Sequence, residues 1–123
     1  MFEVNRSVAV LRPTTLFHTW LTALPGGAGA PSLDVLRAAG NAMLIPPADD
    51  TDDARGFVLT HWAELFEAEL ADWCEDTAAW PAARSEAMFA AWFDIDIHPV
   101  LTDLVKEPLE REAFIPLDLD SLG

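Results

Sequence analysis

Apolar residues recur along this chain with two periods, and the switches between them mark the elements. Between Asn5 and Pro13 (NRSVAVLRP), Val8 and Val10 alternate with Ser7, Ala9 and Leu11, a period of two that predicts a strand. Ala9 and Leu11 are themselves apolar, so both faces are expected to be covered. Pro13 has no N–H to give to a ladder and ends the strand. Leu16, Phe17, Trp20, Leu21 and Leu24 then repeat at helical spacing, with Thr14 or Thr15 as the cap and Pro25 as the stop. Ser32 caps a short helix through Ala39, closed by Gly40. Asn41 to Pro46 (NAMLIP) is an apolar run of strand length, read as a buried strand.

The longest predicted element runs from about Asp52 to Cys74. Val58, Trp62, Leu65, Phe66, Leu70 and Trp73 form its apolar stripe, and Glu64, Glu67, Glu69, Asp72 and Glu75 make the rest acidic. Pro81 suits the first position of another helix, which reaches about Trp92. At Phe93 the period returns to two. Phe93, Ile95 and Ile97 share one face, while Asp94, Asp96 and His98 share the other. Pro99 marks a bulge or an edge, with Val100 to Val105 continuing beyond it.

The order is βααβααβ. It predicts an α+β fold: a single two-layer domain with a small mixed sheet of at least three strands and helices packed on it. A right-handed crossover would make the first two strands parallel, with one antiparallel member beside them. The single domain covers residues 1–123, with a compact part over about 5–105. Residues 106–123 are expected to be an extended arm docked by Phe114, Ile115, Leu117, Leu119 and Leu122. There is no internal repeat.

Composition narrows the function classes. Half the residues are hydrophobic, enough for one core, which excludes a disordered chain. The formal net charge is −14, so a phosphate backbone repels the chain and nucleic-acid binding is not expected. The acids are segregated. Residues 1–48 hold only Glu3 and Asp34, against Arg6, Arg12 and Arg37. All other acids lie in residues 49–123, against Arg55, Arg84, Lys106 and Arg111. No targeting segment or membrane span is read, and the single Cys74 fits a reducing cytoplasm. Asp72, Glu75 and Asp76 beside that thiol oppose thiolate formation, so it is read as a boundary residue.

Several motifs invite chemistry and fail on spacing. The loop PGGAGAP (Pro25 to Pro31) follows a helix and has no lysine, unlike a phosphate loop. Asp49, Asp50, Asp52 and Asp53 lack the order of a calcium loop and instead read as a helix start. His61 and Glu64 reverse the Glu-x-x-His order of a di-metal bundle and nothing repeats them.

Asp94-x-Asp96-x-His98 is the constellation that survives. It sets two carboxylates and an imidazole roughly 6–7 Å apart along one strand face. These residues are candidate metal ligands or acid–base groups, against the plainer reading of a solvated sheet face. Arg6 or Arg12 on the first strand is placed to pair with the acids instead. Among the tryptophans, Trp20, Trp62, Trp73 and Trp92 fall on apolar helix faces. Trp80 stands in a turn and is the candidate partner-binding anchor.

The blocks NRSVAVLRP, FHTWLTALP, AMLIP, WP-AAR and WFDIDIH resemble a family of small acidic uncharacterised bacterial proteins, over about Asn5 to Leu104. The resemblance implies a compact single-domain cytosolic protein and carries over no catalytic residue or cofactor. Two function classes follow. One is a non-enzymatic interaction or regulatory protein whose acidic surface steers to a basic protein partner. The other is a small metal-assisted or acid–base enzyme built on Asp94, Asp96 and His98.

Overall fold

The computed structural model describes residues 1–114. Its main sheet has three strands, β2 (Ser7–Pro13), β3 (Asn41–Ile45) and β4 (Phe93–His98), in the order β3-β2-β4. A separate ribbon pairs β1 (Phe2–Glu3) with β5 (Thr102–Asp103). The helices are α1 (Thr15–Ala23), α2 (Leu33–Ala38), α3 (Thr51–Thr60), α4 (Trp62–Ala71) and α5 (Glu86–Trp92). The α+β class and the single compact unit agree with the reading of the sequence.

The strand directions correct it. Both pairs of the main sheet are antiparallel, so the expected parallel pair is absent. Asn41 lies opposite Leu11 near the end of β2, so α1 and α2 together return the chain to the end it left. The expectation of a simple crossover overlooked this return. The remaining helices then carry the chain the length of the sheet, from Ile45 opposite Ser7 to Phe93 opposite Pro13. β3 and β4 therefore flank β2, and among the described residues both are edges. β3 is no buried strand: Asn41, Ala42 and Leu44 are exposed.

Strand alternation sets the core. Ser7, Ala9, Leu11 and Pro13 of β2 are buried, as are Ile45 and Phe93 on its neighbours. Against this face pack Phe17, Leu21, Leu36, Ala54, Val58, Phe66, Leu70 and Phe89. At the centre, Phe66 meets Phe89 at 5.7 Å, Trp92 at 5.4 Å and Phe93 at 5.8 Å between ring centroids, tilted or edge-on. The buried Ser7 hydroxyl donates to Pro99 O at 2.9 Å and accepts from Ala48 N at 3.0 Å. It thereby ties the segments after β3 and β4 to the start of β2.

Three helix boundaries differ from the pattern. The long acidic helix breaks at His61, where Thr60 Oγ1 donates to Phe57 O and His61 N bonds Val58 O three residues back. The three-residue bond tightens the last turn of α3. Because α4 stops at Ala71, Trp73 leaves the stripe and is 42% exposed. Helix α5 begins at Glu86 rather than Pro81, because Ser85 caps it by accepting from Met88 N at 3.1 Å. Thr14 holds the N-cap position of α1, but its hydroxyl donates to Ala91 O instead.

The glycine-rich loop forms a single 3-10 turn, Gly27–Gly29. A Cβ on Gly27 would lie 2.4 Å from Leu21 O, so close backbone packing accounts for that glycine. Of the predicted arm, Phe114 is exposed rather than docked. Ile115, Leu117, Leu119 and Leu122 lie outside the described residues. No helix of the described residues is long and apolar enough to cross a membrane.

Candidate functional site

The register places Asp94, Asp96 and His98 on the outer face of the sheet, as the alternation predicts. Their Cα partners on β2 are Arg12, Val10 and Val8. The three do not converge on a common point. Arg12 Nε donates to Asp96 Oδ2, and Arg37 Nη1 donates to Asp94 Oδ2 at 2.9 Å. Arg12 Nη1 also donates to Arg37 O at 2.6 Å, and Arg37 Nη1 to Pro13 O at 3.1 Å. Two arginines and two aspartates thus form a ladder that ties the end of α2 to β2 and β4. Gly40 permits the approach at that corner, since a Cβ there would lie 2.5 Å from Leu11 O. His98 stands exposed at the strand end.

This arrangement bears on chemistry. Each guanidinium takes up carboxylate lone pairs that a cation would need. Among the described residues, no group of three or more His, Cys, Asp or Glu side chains is gathered for a metal ion. Of the two arginines placed to pair with these acids, Arg12 does so, whereas Arg6 Nη1 donates to Asn5 O and Oδ1; Arg37, on α2, is the partner that no local pattern indicates.

The other candidates are placed as follows. Trp80 is buried at 8% exposure, which corrects its expected role as an exposed anchor. Its indole N–H donates to Cys74 O at 2.8 Å, and Arg84 lies over the ring at 5.5 Å. The turn that holds Trp80 folds inward around that hydrogen bond. Cys74 is half-buried, its thiol directed at Asp76 O. Asp50 caps α3 by accepting from Asp52 N and Asp53 N, so part of the aspartate run starts a helix. His61 Nδ1 contacts Glu64 Oε1 on the surface.

Glu69 departs from the expected acidic surface of the long helix. It is buried, at 8% exposure. Asn41 Nδ2 donates to its Oε1 at 3.3 Å. Loss of water pushes the carboxyl up from 4.5 to about 7; the Asn41 bond opposes this and the Asp72 charge adds to it.

A second surface emerges beside β3. Met43, Leu44 and Ile45 line a hollow of about 270 Å³ with Phe57, Val58, His61, Glu64 and Leu65. Three consecutive strand residues line it, so the wall is the strand edge rather than one face. An adjoining hollow of about 350 Å³ runs from Ile45 past Ala48 to Ala54 and Phe57, with Asp49, Asp50 and Asp53 on its rim. Phe57 borders both hollows and is 39% exposed. The sequence carried a signal for this: Phe57 and His61 sit one turn apart, off the apolar stripe. No family model, curated protein or solved structure matches the chain.

Proposed function

We propose that the chain is a non-enzymatic interaction or regulatory protein of the cytoplasm, one of the small acidic bacterial proteins it resembles, and that it binds a basic protein partner. One observation carries this reading. Arg12, Arg37, Arg55 and Arg84 each already hold a carboxylate of the same chain, from Asp96, Asp94, Asp52 and Glu67 respectively. Of the acids outside these pairs, those among the described residues lie exposed or half-buried, Glu69 apart, where they raise encounter rates with a basic surface.

The test is retention of basic proteins on the immobilised chain at low and at high salt. Surface charge attraction is screened beyond about 10 Å at 0.1 M ionic strength, so retention should fall steeply as salt rises. Retention of acidic proteins only, or retention unmoved by salt, would sink the reading. The alternative, an enzyme on Asp94, Asp96 and His98, draws less support because both acids are engaged by arginines.

A further inference from the structure

We infer that the free edge of β3 is the docking site, and that its occupant is an extended, basic segment of the partner, added as a fourth strand. This rests on the proposed function and names the surface that would carry it.

The argument starts from the backbone. In the order β3-β2-β4, β3 has one neighbour among the described residues, so every second residue turns its N–H and C=O away from the sheet. Proteins usually blunt such edges with lysine, proline, a bulge or a covering element. The strand Asn41–Ile45 (NAMLI) contains no charge and no proline. A proline follows each edge strand, Pro46 after β3 and Pro99 after β4, but the β4 edge is also covered: Arg55 Nε donates to Ile95 O at 3.2 Å. β3 is thus the more open of the two edges.

The surroundings select the occupant. Beside the edge, Met43, Phe57, Val58 and Leu65 offer an apolar floor, and Leu44 is 51% exposed on the outer side. An added strand directs alternate side chains to each side, as strand-addition sites require. Asp49, Asp50 and Asp53 stand at one end and Glu64 at the other. Among the described residues, no lysine or arginine lines either hollow. A second copy of this chain would bring the same acids to the same edge and be repelled. A segment alternating apolar and basic residues meets both the floor and the rim.

The probe is a short synthetic peptide alternating lysine with isoleucine, followed by fluorescence anisotropy against the full chain. A second peptide of the same sequence carries N-methyl groups on alternate backbone amides, which keeps its charge but removes the strand donors. The first peptide should bind at low salt. The N-methyl peptide should bind about tenfold or more weakly, since each lost backbone hydrogen bond costs several-fold in affinity. Phe57→Lys should weaken binding far more than His98→Lys, which adds the same charge on the outer face.

Equal affinity for the two peptides would overturn the edge while leaving a basic partner in place. Binding by neither peptide would overturn both. Concentration-dependent dimers in sedimentation that the peptide fails to displace would assign the edge to a second copy and overturn the proposal. Should Phe57→Lys lose its fold by circular dichroism, the two-peptide comparison on the unaltered chain still decides.

Discussion

Replacing Glu69 with glutamine should stabilise the protein at neutral pH and leave its stability in acid nearly unchanged. Glutamine matches the protonated carboxyl in shape, and its Oε1 can still accept from Asn41 Nδ2. In the unfolded chain Glu69 loses its proton near 4.5, whereas the folded protein retains it to about 7. Between those values the native state binds more protons than the unfolded state, so stability from this group falls as pH rises. Below pH 4.5 both states are protonated and the substitution should change little. Above pH 7 the full difference applies. At 1.36 kcal/mol for each pH unit, the interval from 4.5 to about 7 amounts to about 3 kcal/mol. The assay is urea unfolding of both proteins at a series of pH values, compared at constant m. The gain of Glu69→Gln should be close to zero at pH 4, grow through pH 5–7, and level off beyond. A gain that is flat with pH, or a loss at pH 8, would refute the assignment of Glu69 as a buried carboxyl.

Three further outcomes are expected. Phe66→Ala removes a fully buried ring from the centre of the aromatic cluster and should cost about 3–5 kcal/mol in urea unfolding; a cost under 1 kcal/mol would contradict the packing described. The Arg12–Asp96 pair is 30% and 46% exposed at its side chains, so a double-mutant cycle should give a coupling of only about 0.5–1 kcal/mol, smaller still in high salt. Thermal melting with Mg²⁺, Mn²⁺ or Zn²⁺ against EDTA should show no stabilisation that depends on Asp94 or Asp96, because a ligand of the native state would raise the melting temperature by mass action; a rise abolished by Asp94→Ala would favour the enzyme reading.

How much could be read beforehand depended on the range of the interaction. Alternation in β4 is local and two-faced, so its inward set of Phe93 and Ile95 and its outward set of Asp94 and Asp96 were legible, whereas in β2, apolar on both faces, nothing local tells the buried Ala9 and Leu11 from Val8 and Val10. Strand direction was not legible either, because it depends on where α1 and α2 deliver Asn41, and no local pattern records that. The break at His61 falls inside an otherwise continuous apolar stripe, and no local pattern marks it. Glu69 looked like its acidic neighbours because burial of one helix position depends on the partner it meets, here Asn41. Trp80 looked exposed because a turn before proline usually is, and the Cys74 carbonyl that draws it inward lies across that turn. The candidate face was found as a pattern, but its engagement by Arg37 required the position of α2.

Amide chemical-shift mapping tests the central claim most directly. On titration of the isotope-labelled chain with the lysine–isoleucine peptide, the largest changes should fall on Asn41 to Ile45 and on Phe57 to Leu65, with slowed hydrogen exchange at the outward amides of β3. Changes concentrated on Asp94 to His98, or spread evenly over the acids of residues 107–112, would contradict it.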